Sequence, residues 1–154
     1  MKPFLKKIGI VEVRFGEGVT VVEPVNLYHC QLEDGVFIGP FVEIQRGVQV
    51  GRQTRIQSHT FICEGVTIGE ECFIAHGVMF VNDTFSTGGP ARDKALWKPT
   101  RIGNRVSVGS NATILPVSIC DDVVIGAGAV VTKDIGMPGS YAGNPARLIK
   151  PKKT

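Results

Sequence analysis

From Leu32 to Phe80, large apolar residues recur every six positions without a slip, through Ile38, Ile44, Val50, Ile56, Ile62, Ile68 and Ile74. Two positions before Ile38 and each later member stands a smaller residue: Val36, Val42, Val48, Thr54, Thr60, Val66, Cys72 and Val78. Neither a helical period nor plain strand alternation repeats in this way. Side chains alternate along a strand, so residues i−2 and i can both point inward. Each hexad therefore reads as a very short strand followed by a turn, and stacked hexads read as a β-solenoid. With three strands per coil, 18 residues complete one circuit. Gly39, Gly51 and Gly69 directly follow a large residue. They are expected to take a backbone angle that a Cβ resists.

The same pattern orders the rest of the chain. Phe15, Val21 and Leu27 start it, and the step from Leu27 to Leu32 is one residue short. After Phe80 the period stops. Residues 82–99, NDTFSTGGPARDKALWKP, read as a loop thrown out of the solenoid. The repeat resumes at Ile102, Val108 and Ile114, makes a second short step to Ile119, and continues to Ile125 and Val131. Its small partners there are Thr100, Val106, Ala112, Val117, Val123 and Ala129. Pro138 and Gly139 are expected to end it. The expectation is an all-β domain over residues 1–150 with about six coils and few helices. A poorly patterned lead-in at 1–14, a candidate capping strand over the first coil, precedes the repeat, and a basic tail at 151–154 follows it.

Composition narrows the function. The chain carries 17 Lys+Arg against 14 Asp+Glu, a net charge of +3. That is too mild for nucleic acid but suits a phosphorylated ligand. Aromatic residues are only 7 % of the chain, which argues against a base-stacking surface. No apolar run approaches a membrane span, and the N-terminus shows no cleavable leader, so a cytoplasmic location is expected. Cys30, Cys63, Cys72 and Cys120 form no CxxC pair and read as structural, reduced thiols, with Cys30 and Cys72 inward. Broad flat faces and open coil ends suit packing against copies of the same chain, as in a cyclic trimer.

The run Ile125-Gly-Ala-Gly-Ala-Val-Val-Thr-Lys-Asp134, followed by Ala142-Gly-Asn-Pro145-Ala-Arg147, carries a further likeness. With the repeats, it resembles the hexapeptide-repeat acyltransferases over residues 19–150. The resemblance implies a left-handed parallel β-helix, a homotrimer, and acetyl-CoA as co-substrate in the groove between subunits. Pro24-Val-Asn-Leu-Tyr28, Gln57-Ser-His-Thr-Phe61 and Gly77-Val-Met-Phe-Val-Asn-Asp83 are similar to enzymes that acetylate an amino group on a nucleotide-linked sugar. That branch implies a role in cell-surface polysaccharide synthesis, such as O-antigen. In the galactoside and xenobiotic branch a histidine base stands where coil meets loop. Here Asn82-Asp83 stand there, which argues against a hydroxyl acceptor.

Residues 18 apart stack on successive coils. Arg46, Glu64 and Asn82 therefore share a column, with Tyr28 or His29 one coil below, while His59 and His76 meet at a second edge. Acetyl transfer to an amine needs a neutral amine, a positioned carbonyl and a proton acceptor. His76 is the first candidate base and His59 the second; each also reads as a surface-turn histidine. The resemblance favours Asn82 as the residue that holds the amine, with Asp83 beside it, and the plain alternative is a turn that opens the loop. A backbone N–H near Gly77 or Gly109 would meet the thioester oxygen. Small residues Ser107, Gly109, Ser110, Gly126, Ala127 and Gly128 would let the pantetheine arm approach the backbone. Lys133, Arg147 and Lys150, with the tail residues Lys152 and Lys153, would meet its phosphates. For the sugar nucleotide the early coils offer Asn26, Tyr28, His29, Glu43, Gln45 and Gln57, with Tyr28 able to stack on a ring. Trp97 and Phe85 would anchor the loop on a neighbour.

Three other readings use the same solenoid. One is an O-acetyltransferase acting on a sugar hydroxyl. The second is a gamma-type zinc carbonic anhydrase, for which the three histidines His29, His59 and His76 would have to converge. The family's pair of histidines five apart is missing, so no metal is expected. The third is a scaffold without catalysis.

Overall fold

The computed structural model describes residue 3 and residues 9–152. Almost every strand in it is two or three residues long, and three parallel sheets form the sides of a prism. The first face stacks Ile10–Val11, Asn26–Tyr28, Glu43–Ile44, Phe61–Ile62, Met79–Phe80, Thr113–Ile114 and Val130–Val131. The second runs from Arg14–Phe15 through Gln31–Leu32, Gln49–Val50, Val66–Ile68 and Thr100–Ile102 to Ser118–Ile119. The third climbs from Thr20–Val21 through Phe37–Ile38, Arg55–Ile56, Phe73–Ile74 and Ser107–Val108 to Val123–Ile125.

The register is the one that the spacing demands. Ile44 pairs with Leu27 below and Ile62 above. Ile38 sits on Val21 and under Ile56, and Ile74 sits under Val108. Leu27, Leu32, Ile38, Ile44, Val50, Ile56, Ile62 and Ile74 are fully buried, as are the small residues Val36, Val42, Val48 and Val78 beside them. Each such aliphatic side chain contributes roughly 1.5–3 kcal/mol by leaving water. Thr54 and Thr60 fill small positions with a hydroxyl, which donates to the Gly69 carbonyl at 2.8 Å and to the Ala75 carbonyl at 3.0 Å. A buried hydroxyl is tolerated because it is satisfied. All four cysteines are free thiols; Cys30, Cys63 and Cys72 are buried. Burial pushes the Cys30 and Cys63 thiols up to about 11, so both stay protonated.

Four expectations are corrected. Seven strands, not six, stack on the first face, because Ile10–Val11 of the expected lead-in already pairs with the next coil. The third face also continues past Pro138: Gly139–Ala142 runs parallel to Val123–Ile125, and Arg147–Pro151 returns antiparallel over it. The glycines Gly39, Gly51 and Gly69 are not where the backbone turns left-handed. They are where the next coil passes closest: a Cβ would come within 2.8 Å of the Ser58 nitrogen at Gly39 and within 2.6 Å of Gly69 and Gly103 backbone atoms at Gly51 and Gly69. The left-handed residue lies two further on, at Phe41 (φ 61°), Gln53 (φ 56°) and Glu71 (φ 55°). Finally, the tail residue Lys152 is tied down. Its backbone N–H donates to the Pro138 carbonyl at 3.1 Å and its Nζ lies 2.7 Å from Asp122. Lys153 lies outside the described residues, as does most of the stretch before Gly9 on which the expectation of no leader rests.

The segment 82–99 leaves the prism between the first and second faces. Its one regular turn is a 3-10 helix at Lys94–Leu96, capped by the Asp93 carboxylate. No helix among the described residues is long and apolar enough to cross a membrane.

Candidate active site

The sequence-predicted residues gather at two corners, one on each edge of the first face. At the corner between the third and first faces, Ser58, His76, Ser110 and Ala127 form one column. Gly77 N–H donates to the Ser58 carbonyl at 3.0 Å, Asn111 N–H to the His76 carbonyl at 2.9 Å, and Gly128 N–H to the Ser110 carbonyl at 2.8 Å. His76 is exposed, and its Nδ1 lies 2.9 Å from Ser58 Oγ. That contact leaves Nε2 as the ring nitrogen open to a substrate. If Nδ1 carries the proton and donates to Ser58, Nε2 presents a lone pair. His59 occupies the neighbouring column and stacks on Phe41, with ring centroids 4.9 Å apart. Gly109 and Gly128 keep this corner smooth: a Cβ on Gly109 would lie 2.5 Å from the Ala127 nitrogen. Ser107 faces outward on the third face between Phe73 and Val124. The expected pantetheine strip is thus continuous with His76. Gln57 belongs to this corner as well, since its N–H bonds to Ile74.

The corner between the first and second faces is built from charged side chains and the base of the loop. Asn82 Nδ2 donates to the Glu64 carbonyl at 3.1 Å, and Asn82's own carbonyl accepts from Lys98 N–H at 3.1 Å. Asp83 accepts from Phe85 N–H at 2.9 Å and from Ala91 N–H at 2.7 Å. The pair therefore fastens both stems of the loop. Lys94 Nζ reaches back to both carboxylate oxygens of Glu64, at 2.8 and 2.9 Å. Below them, Glu43 accepts from Asn26 Nδ2 at 3.1 Å and from Gln45 Nε2 at 3.0 Å, and Gln45 in turn accepts from Glu64 N–H at 3.3 Å. Tyr28 lies against this network. Burial raises its phenol above the usual value, and the Glu43 and Glu64 carboxylates add to the shift. Trp97 packs half-buried on its own chain, while Phe85 stands 59 % exposed at the loop.

Three groups do not join these two corners. His29 Nδ1 lies 2.8 Å from Glu12, in a groove of about 460 Å³ that runs along the second face with Arg14 and Gln31. The phosphate candidates also divide. Lys133 and Arg147 share a groove of about 310 Å³ with Tyr141 at the last coil, whereas Lys150 lies with Arg105, Asp122 and Lys152. The three histidines are likewise split, His29 at one edge of the first face and His59 with His76 at the other. Sequence reasoning missed Ser58, although its spacing of 18 from His76 signals the contact. It placed Glu64 in its column but gave it no role, and Lys94 carried no periodic signal at all.

Comparison with known proteins tests the repeat directly. Residues 29–64 match the bacterial transferase hexapeptide (six repeats), and residues 99–133 match the hexapeptide repeat of succinyl-transferase. The chain is a hexapeptide-repeat protein. The bifunctional protein GlmU of Streptococcus uberis is 29 % identical to this hexapeptide-repeat chain over 150 residues, which are 92 % of the chain and 32 % of GlmU. The chain thus spans about a third of the length of that relative. Among solved structures, a mutant of AntD, an N-acyltransferase from Bacillus cereus, in complex with dTDP and coenzyme A, aligns with a TM-score of 0.81. The alignment covers 92 % of this chain and 84 % of AntD at 21 % identity, a likeness of fold. A galactoside acetyltransferase in complex with coenzyme A aligns with a TM-score of 0.66 at 32 % identity, over 78 % of this chain and 64 % of its own.

Proposed function

We propose that this hexapeptide-repeat protein transfers the acetyl group of acetyl-CoA to the amino group of a nucleotide-linked amino sugar. It acts in the cytoplasm as a homotrimer with sites between subunits, and its product feeds cell-surface polysaccharide such as O-antigen. The observation that carries the reading is the column Ser58–His76–Ser110–Ala127: a smooth strip that ends on an exposed histidine with one ring nitrogen already engaged. The AntD likeness, to an N-acyltransferase holding dTDP and coenzyme A, supports an amine acceptor on a nucleotide.

In this reading the thioester lies along the strip. The neutral amine attacks the carbonyl carbon, the C–N bond forms, and the C–S bond breaks as coenzyme A leaves as the thiolate. The ammonium proton passes to His76 Nε2, whose Nδ1–H donates to Ser58, and from there it neutralises the thiolate. The expected oxyanion donors are engaged elsewhere: Gly77 N–H donates to the Ser58 carbonyl at 3.0 Å and Gly109 N–H to the Ile125 carbonyl at 2.8 Å, so the reading requires a different donor for the developing oxyanion. Asn82 and Asp83 stand at the far edge of the first face, so the reading requires that they meet His76 of a neighbouring copy. Asn26, Tyr28, Glu43 and Gln45 receive the sugar nucleotide, with His29 and Gln57 at their flanks. Lys133 and Arg147, which share one groove, receive one of the cofactor's phosphate groups, and Lys150, in another groove, is left to a second.

Purified protein is incubated with acetyl-CoA and a panel of nucleotide-linked amino sugars, and free thiol is followed. Thiol release with amino sugars, and none with their hydroxyl counterparts, is expected. The galactoside acetyltransferase likeness favours a second reading, a sugar-hydroxyl acceptor. Release with the hydroxyl sugars alone would establish it and overturn the amine reading.

A further inference from the structure

The loop 82–99 brings its own primary ammonium group to the polar corner. Lys94 Nζ lies 2.8 and 2.9 Å from the two carboxylate oxygens of Glu64. The lysine side chain is 65 % exposed, while the carboxylate it covers is only 22 % exposed. Glu64 is embedded: its N–H donates to Gln45 and its carbonyl accepts from Asn82. The lysine is therefore the partner that solvent and a ligand reach first. An exposed pair of this kind is weak enough to exchange.

A second observation on the same loop is independent of the first. Trp97 is the only tryptophan in the chain, and its indole Nε1 is buried with no hydrogen-bond partner among the described residues. An indole nitrogen can only donate. A buried donor left without an acceptor is rare in a finished structure. Lys94 Nζ sits 5.0 Å from the centre of that ring, so the lysine and the unsatisfied indole are neighbours on the loop. The docked loop therefore leaves one buried donor without a protein acceptor among the described residues.

We infer that the Lys94–Glu64 pair is an internal latch, in which the loop's own ammonium group occupies the carboxylate beside Asn82 that receives the substrate's amine as it arrives in cationic form, before it loses a proton and attacks. The substrate's ammonium displaces Lys94, and the loop, with Trp97, changes position as it enters. The inference rests on the amine-acetylating reading and adds to it a built-in competitor. It predicts discrimination by charge: an amino sugar competes with Lys94 for Glu64, and a hydroxyl sugar does not. Because the latch reduces the fraction of chains ready to bind, apparent affinity falls by that fraction.

Two measurements on the full-length protein decide it. The first uses no substrate. Lys94→Met and Glu64→Gln should each raise amide hydrogen exchange over residues 84–97 by about tenfold, as expected for a loop held in a marginally stable docked state. The exchanged pair Lys94→Glu with Glu64→Lys should restore protection, which a merely local packing effect would not. The second uses the amino sugar with the highest thiol release in the panel above. Lys94→Met should lower its KM by roughly three- to tenfold without changing the KM for acetyl-CoA. Unchanged exchange in both single variants, or an unchanged amino-sugar KM in Lys94→Met, overturns the latch. A wild-type protein that releases no thiol with any amino sugar instead defeats the functional reading, while the exchange experiment still judges the Lys94–Glu64 contact by itself.

Discussion

The two corners that flank the first face are made by different means. The corner at Ser58, His76, Ser110 and Ala127 is a product of the repeat: backbone N–H to C=O bonds lock each coil to the next, and side chains are small or single. The corner at Tyr28, Glu64 and Asn82 is a product of side chains and of a loop that obeys no period. The first offers a fixed, smooth track. The second offers charge and a segment that can be displaced. A transfer reaction needs both properties, a rigid bed for the cofactor and a selective seat for the acceptor.

The largest test of this contrast removes what the corners share. Ile62→Asp places a carboxylate in the centre of the prism, at a fully buried position. It should cost on the order of 4 kcal/mol or more and leave no cooperative thermal transition by circular dichroism. A folded, soluble variant would refute the common core. Next in size, His76→Ala should cut turnover by about 10²–10⁴-fold with acetyl-CoA affinity unchanged by calorimetry. Equal turnover would move the chemistry to the other corner. Asn82→Ala removes a contact to the Glu64 carbonyl and should raise the amino-sugar KM more than it lowers kcat. The expected penalty is roughly 0.5–1.5 kcal/mol, a factor of about two to ten. An unaltered rate and KM in steady-state kinetics would leave Asn82 as a loop fastener alone. Ser58→Ala should lower kcat within the same two- to tenfold range and leave both KM values alone, since it orients His76 rather than touching substrate.

The smallest effect lies away from both corners. Asp122 holds Arg105 and Lys152, and these cations keep its carboxyl well below the usual carboxylate range. A carboxyl depressed in the folded state stabilises it above the ordinary carboxylate pKa, and that contribution is lost as pH falls below it. The thermal midpoint should therefore drop on acidification through that window, and the drop should be smaller in Asp122→Asn. An identical pH profile in the variant would show that the exposed triad contributes nothing.

Much of this was legible in the spacing, and the failures have physical causes. Ile38, Ile44 and Ile62 announce their burial because only one register lets every large side chain point inward. The same arithmetic places Ser58 beneath His76 and Glu64 beneath Asn82. The glycines misled: Gly39 and Gly51 look like left-handed turns, yet they answer to the approach of the next coil, a demand visible only once coils are stacked. The coil at Ile10 was only weakly legible, as a candidate capping strand, because its strands are exposed and carry little pattern. The basic residues Lys133, Arg147 and Lys150 were all legible as phosphate candidates, but their division between two grooves was not, because it follows from the antiparallel return of Arg147–Pro151.

By itself, then, the order of residues determined the prism, its inward columns and which residues stack on which, because side-chain alternation and an 18-residue circuit leave a single solution. Only the tertiary structure decided that Asp83 ties Phe85 and Ala91 together across the loop, and that Lys94 returns to Glu64. An aperiodic loop has no local rule to aim it, so its contacts are settled by the surface on which it lands.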